Sequence, residues 1–306
     1  MPKFAYFEGK IVPFTEAKVS IMTHAFNYGT GVFEGIRAYW SEQQAQLFVL
    51  RLRDHYRRLL QSTKVLRMQL SLDAEQMSDL TVELLRREGY REDVYIRPLA
   101  YKANEVIGVR LHNLNDEFAA FAAPFGKYIE QQEGAKVCFS SWRRNDDNAI
   151  PPRGKVTGAY VNSALIKSDA MLNGFDEAIV LNADGHISEG SAENFFMVRG
   201  GKLVTPPVTA NILEGITRQA IMDLAKIELG LDTVERQIDR SEVYIADEAF
   251  FCGTGVEVTP IGSVDHILLG NGGVGPITRK IMDLYQSIVH GAEPKYRHWL
   301  TPVYTK

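Results

Sequence analysis

The chain has little cysteine, no long apolar run and no marked excess of charge. Cys138 and Cys252 are the two cysteines in 306 residues, too few for a disulfide framework, and no cluster of Cys and His has the spacing of a zinc site. A reducing compartment is the expected setting. No stretch of about 18 consecutive apolar residues occurs, and the opening MPKFAYFEGKIV lacks the apolar segment of a secretory signal, so neither a membrane span nor a signal peptide is expected. Lys and Arg number 34 against 38 Asp and Glu, a formal net charge of -4. Such a balance gives no electrostatic footprint for nucleic acid. These absences leave a cytoplasmic protein acting on small molecules. With 45% hydrophobic residues over this length, two domains of ordinary size are expected, without internal repeats or low-complexity tracts.

Periodicity then places the elements. Two short apolar runs flank Glu8-Gly9-Lys10 and predict a hairpin. Ile36 to Trp40 and Gln46 to Leu50 read as paired strands, and Arg51 to Ser62 as a helix with a basic face. From Ser71 to Glu88, Leu72, Met77, Leu80, Leu84 and Leu85 fall on one side and Gly89 supplies a stop, which predicts an amphipathic helix. Strands at Val94 to Tyr101 and Phe118 to Ala123 close a smaller N-terminal α/β domain over 1–123. Composition shifts over 124–134, the expected interdomain loop, and a larger C-terminal domain over 135–306 follows. There, Lys136 to Trp142, Ala178 to Leu181, Thr233 to Arg236, Glu248 to Cys252 and Val256 to Pro260 read as strands. Gly158 to Leu172, Ile216 to Leu229 and Ile277 to Val289 read as helices. Asp184-Gly185 reads as a two-residue hairpin turn with Asn194 to Val198 as the returning strand. The fold class is two-domain α+β.

Three groups stand out for their chemistry. PPRGKVTGAY holds Lys155 and, five residues on, Tyr160; DGHISEGSAENFF holds Glu189. Together they match the needs of pyridoxal 5'-phosphate: an amine for covalent attachment, a donor to the ring phenolate and an anion facing the pyridinium nitrogen. Alone, a lysine beside Arg153 and two glycines is more often a solvated loop residue. The apolar Val156 and the helix after it would let Lys155 point inward, where desolvation favours the neutral amine. Glu189 is expected in a tight turn, which suits a surface turn former as well as an aimed ligand. Gly215, ahead of a helix starting near Ile216, would bring the Ile216 and Thr217 amides and the Thr217 hydroxyl to the positive end of the helix dipole, a phosphate site. Plain capping by Thr217 is the bland alternative. Thr254, between Gly253 and Gly255, would add a second hydroxyl. Gly270, Gly272 and Gly275 satisfy G-x-G-x-x-G, but Pro276 and the roughly thirty residues left do not accommodate the strand and acid that a dinucleotide site requires. Arg97 interrupts the apolar strand VYIRPLAY, where an unpaired guanidinium is costly, so it needs an internal carboxylate or a bound one.

HAFNYGTGVFEGIRAY, RDHYRRL, VYIRPL, GKVTGAY, ISEGSAENFF, LEGITR and CGTGVEVTP occur in the order found in class IV aminotransferases. From Ala5 to Leu300 the chain resembles that family, and within it the branched-chain amino acid aminotransferases. The resemblance implies pyridoxal-phosphate fold type IV, the D-amino acid aminotransferase-like fold, in a homodimer or a higher homo-oligomer built of dimers. It implies that Lys155 would carry the cofactor, Glu189 would pair with the ring nitrogen, Tyr160 would hydrogen-bond the ring oxygen and Leu213 would pack on the ring face. Arg58, the amides of Ile216 and Thr217, the Thr217 hydroxyl and Thr254 would hold the phosphate. Tyr95, with the amides at Thr254 and Gly255, would receive the substrate α-carboxylate, and Arg97 the γ-carboxylate of glutamate. Phe33, Tyr28 and Tyr128 would line the side-chain pocket, joined by Ile107 and Val109 of the partner subunit. The reaction implied is transamination between branched-chain L-amino acids and 2-oxoglutarate. YKANEVIGVRLHN departs from the family pattern, being more charged through Lys102, Glu105 and Arg110. D-amino acid and (R)-amine transaminases and aminodeoxychorismate lyase share the fold, and a silent pyridoxal-phosphate-binding protein is the non-enzymatic alternative. YIRPL favours the branched-chain reading.

Overall fold

A computed structural model describes residues 1–126 and 134–304. The described residues group into two compact units, one of Met1–Gly126, Gly154–Gly158 and the chain from Gln286 onward, the other of the remainder.

The first unit is built on an antiparallel sheet. Its strands are β1 (Phe4–Phe7), β2 (Lys10–Pro13), β3 (Gly31–Phe33), β4 (Ile36–Ser41), β5 (Gln46–Leu50), β6 (Val94–Lys102) and β7 (Asp116–Pro124), with helices α1 (His24–Tyr28), α2 (Leu52–Val65) and α3 (Ala74–Glu88). The β1–β2 hairpin and the β4–β5 pair form as expected. β6 alternates strictly between buried and half-buried residues, so Tyr95, Arg97, Leu99 and Tyr101 share the face opposite to the core. On the core face, Lys102 is buried with Asp116, Nζ to Oδ1 2.7 Å. The extra charge in YKANEVIGVRLHN at that position is therefore a structural ion pair.

The second unit contains β8 (Ala135–Arg143), α4 (Tyr160–Leu172), β9 (Glu177–Leu181), β10 (Ile187–Gly190), β11 (Asn194–Arg199), β12 (Lys202–Thr205), α5 (Ile216–Leu229), β13 (Thr233–Glu235), α6 (Arg240–Val243), β14 (Glu248–Gly253), β15 (Glu257–Val264), β16 (Ile267–Leu268) and α7 (Pro276–Val289). Its strands run in the order β10-β9-β8-β15-β14-β11-β12-β13, with β8 parallel to both neighbours. Ile179, Phe195, Met197, Phe251 and Ile261 belong to its core. On another cluster, Ile166 and Ala170 of α4 cover Ala178 and Val180.

Two expectations fail here for physical reasons. A single cut at 124–134, of which 127–133 lie outside the described residues, does not separate these units. The terminal strand β17 (Leu300–Pro302) pairs with β5, and Val156 bridges to Val32, so long-range pairing returns both segments to the first unit. The Asp184-Gly185 turn leads from β9 into β10, which pairs back on β9, whereas β11 pairs with β12 and β14. Glu189 thus lies in a strand, not in a turn. All four residues of β10 are buried, so ISEG has no alternating pattern to betray it. Among the described residues no helix is long and apolar enough to cross a membrane.

α3 begins later than apolar spacing alone indicates because Asp73 builds a capping box: its Oδ1 accepts from the Gln76 amide at 2.8 Å, and Gln76 Oε1 accepts from the Asp73 amide at 2.9 Å. Asp73→Ala should lower stability by about 1 kcal/mol, read as a melting temperature lower by a few degrees. An unchanged melting curve would show that the cap contributes nothing.

Candidate active site

In the first unit the centre of the site is Phe33. Its amide donates to the Lys155 carbonyl at 3.0 Å, and the Lys155 amide donates to Ser62 Oγ at 3.2 Å. These bonds hold a half-buried lysine with Nζ 5.1 Å from the Phe33 ring centroid. Arg97 lies over the same ring at 4.5 Å, and its Nη2 donates to the Tyr95 hydroxyl at 3.0 Å. Accepting that bond leaves the Tyr95 O–H proton to donate elsewhere. Gly35 makes this arrangement possible, since a Cβ there would stand 2.2 Å from the Tyr95 hydroxyl oxygen. Arg97 Nε is buried without a hydrogen-bond partner among the described residues.

Directly after Phe33 comes Glu34, wholly buried. Arg58 grips it bidentately, Nε to Oε1 and Nη2 to Oε2 both 2.7 Å, and His55 Nδ1 lies 2.8 Å from Oε2. Burial by itself would raise the Glu34 carboxyl; the Arg58 charge and the hydrogen bonds from His55 and Arg58 outweigh it and hold it at about 2. Burial pushes the His55 imidazole down, the nearby Arg58 and Lys155 charges adding to this while Glu34 opposes it. A neutral His55 facing an ionised carboxylate carries its proton on Nδ1.

The second unit holds Glu189, 6% exposed. Its Oε2 accepts from Asn194 Nδ2 at 2.9 Å and from the Leu213 amide at 3.3 Å, while Arg144 Nη2 lies 3.7 Å from Oε1. Arg144 also donates to the carbonyls of Gly190 and Ser191. The N-cap of α5 is Gly215, which brings no side chain of its own, and Thr217 is buried in its first turn. Tyr160 opens α4, and Thr254 and Gly255, half-buried, form the turn between β14 and β15. The other glycine-led helix start is different: Glu248 accepts from the amides of Ile277 and Thr278 at 3.0 and 2.7 Å and from the Thr278 hydroxyl at 2.7 Å. The G-x-G-x-x-G run thus leads into a helix end already neutralised from within.

Each unit by itself offers groups that suit pyridoxal 5'-phosphate: the first a positioned amine, Lys155, the second a fixed buried carboxylate, Glu189, and a helix start led by Gly215. The structure brings Phe33, Tyr95, Arg97 and Lys155 together in the first unit and Glu189 and Leu213 in the second. Tyr28 accepts from the Gly108 amide at 3.0 Å, and His24 Nε2 lies 2.8 Å from the Gly108 carbonyl oxygen. These bonds anchor a loop whose Ile107 and Val109 are 89% and 76% exposed. Tyr128 lies outside the described residues. Glu34, His55, Arg144 and Asn194 escaped the sequence reading. His55 alone left a trace, standing three residues before Arg58 and so on the same face of α2.

Comparison with known proteins gives one answer. The amino-transferase class IV family model matches residues 31–264. A protein of Aquifex aeolicus named probable branched-chain-amino-acid aminotransferase is 50% identical over 99% of this chain and 97% of its own. The branched-chain aminotransferase of Thermoproteus uzoniensis, solved with norvaline, superposes with a TM-score of 0.95 at 46% identity, over 99% of this chain and 100% of that one. That of Thermobaculum terrenum in its PLP-form matches with a TM-score of 0.95 at 41% identity, over 99% of each chain.

The Glu34 cluster gives a pH prediction. A carboxyl lowered in the fold stabilises it fully above the ordinary value near 4.5, and the contribution, roughly 3 kcal/mol, is lost as pH falls towards 2. His55, lowered as well, adds a loss as pH falls through 6.5, where the unfolded chain takes up the proton first. Glu34→Gln should lower the melting temperature at pH 7, and the gap from the parent should narrow between pH 4.5 and 3. A gap of constant size across that range would mean that the fold does not lower the Glu34 carboxyl.

Proposed function

Because this chain belongs to the amino-transferase class IV family, we infer that it transfers the amino group of leucine, isoleucine and valine to 2-oxoglutarate, giving branched 2-oxo acids and L-glutamate, with pyridoxal 5'-phosphate as cofactor. The observation that carries the reading is the placement of Lys155 and Arg97 about one aromatic ring, with Tyr95 hydrogen-bonded to that arginine. An apolar ring suits a branched side chain, and a guanidinium lying over it suits the second carboxylate of glutamate.

When bound, the cofactor supplies an electron sink for the pair left at Cα as its C–H bond breaks. Lys155 would hold it and, once the substrate amine takes its place and frees the lysine amine, would take and return the Cα proton as general base and acid. Glu189 would keep the ring nitrogen protonated, Tyr160 would donate to the ring oxygen and Leu213 would cover the ring face. Arg58, the start of α5 at Ile216 and Thr217, and Thr254 would receive the phosphate. Tyr95 binds the substrate α-carboxylate with the amides of Thr254 and Gly255, and Phe33 and Tyr28 bound the side-chain pocket. The proposed assembly is a homodimer or a higher homo-oligomer built of dimers, a reading supported by the exposed apolar side chains of Ile21, Phe26, Ile107 and Val109. A cytoplasmic location agrees with two free thiols, Cys138 and Cys252.

Borohydride treatment should fix the cofactor to the protein, and peptide mapping should find it on Lys155; Lys155→Ala should abolish turnover. An adduct on another lysine would reject the assignment. Arg97→Leu should lower kcat/KM for glutamate about ten- to a hundredfold, the loss of one charged hydrogen bond, and leave the half-reaction with leucine nearly intact. Equal losses in both half-reactions, measured by single turnover, would make Arg97 a structural residue instead.

A further inference from the structure

Asn194 is 5% exposed at the start of β11. Its Nδ2 donates to two acceptors from different segments, Glu189 Oε2 and the Leu213 carbonyl, each at 2.9 Å. Its Oδ1 faces Gly215 so closely that a Cβ there would stand 2.0 Å away. One side chain therefore touches the carboxylate of β10, the residue two before the α5 cap, and the cap itself. Only a primary amide does this without a net charge: it brings two protons for two acceptors and keeps an oxygen for the third side. An aspartate at this place would set oxygen against oxygen, and a serine has a single proton.

We propose that Asn194 is a positioning residue that fixes the ring-nitrogen carboxylate and the phosphate-binding helix start at one separation, so that a ligand with a pyridine nitrogen at one end and a phosphate at the other meets both subsites without rearrangement. The proposal rests on the cofactor reading above. Preset geometry removes an ordering cost that each half of the ligand would otherwise bear. The loss of Asn194 should therefore be felt at both ends, unlike the loss of a residue that serves one.

The test uses the full chain stripped of cofactor and three probes, pyridoxal 5'-phosphate, pyridoxal and inorganic phosphate, with dissociation constants from absorbance or calorimetry and a melting curve for each variant. Asn194→Ala should weaken pyridoxal 5'-phosphate at least tenfold and weaken both fragments. Thr217→Ala should spare pyridoxal, and Glu189→Gln should spare inorganic phosphate. Gly215→Ala, which leaves every hydrogen-bonding group in place, should act like Asn194→Ala by pushing the amide aside, and it carries the comparison if Asn194→Ala fails to fold. Combining the two should weaken binding no further than either alone, because the methyl group then loses its 2.0 Å clash with Oδ1 and keeps Arg218 Cβ, at 3.1 Å, as a near neighbour. Loss at one fragment only, additive losses in the double variant, or a lower melting temperature with unchanged fragment affinities would each overturn the proposal. A parent chain that bound none of the probes would instead reject the cofactor reading.

Discussion

Taking a carboxylate out of water is tolerable only where fixed cations or N–H groups replace the solvent, and this constraint organises both units. In the first, Glu34 is wholly buried, and its two oxygens occupy Arg58 and His55. Because Glu34 adjoins Phe33, the ion pair also pins the ring over which Lys155 and Arg97 lie. In the second, Glu189 takes Asn194 and the Leu213 amide on one oxygen and has Arg144 near the other. Each acid is dear to bury and therefore rigid once satisfied. Rigidity is what an ionic partner for a cofactor needs, since an anion that must be reoriented at the moment of reaction stabilises little.

Local chemistry was legible in the sequence where short-range physics decides it. α5 occupies Ile216–Leu229 as apolar spacing indicates, and β4 and β5 pair as their runs suggest. Lys155, Glu189 and Arg58 could be picked out by motif. Their partners could not: Glu34 lies 24 residues from Arg58, and Glu189 meets a backbone amide 24 residues on. Such pairs depend on how strands stack, which no local window contains. The same limit hid β10, whose polar letters are satisfied internally, and put Lys155 on the wrong side of the domain boundary. The charge of Lys102 misled in the opposite direction, its partner Asp116 being supplied across a hairpin.

The chain also shows how two similar helix starts come to differ. Both α5 and α7 follow a glycine, and both present backbone N–H groups at a positive dipole end. At α7 the protein supplies its own anion, Glu248. At α5 the cap is Gly215, which brings no side chain of its own, so the first-turn amides suit the phosphate proposed there.

That asymmetry reaches into ordinary handling of the protein. If the start of α5 receives the cofactor's phosphate as proposed, sulfate or phosphate in a purification buffer would compete there with loading of the cofactor, whereas at α7 the amides are already held by Glu248. The ionic composition of the medium would then be a variable of saturation, a preparation exchanged into chloride taking up cofactor more readily than one kept in phosphate.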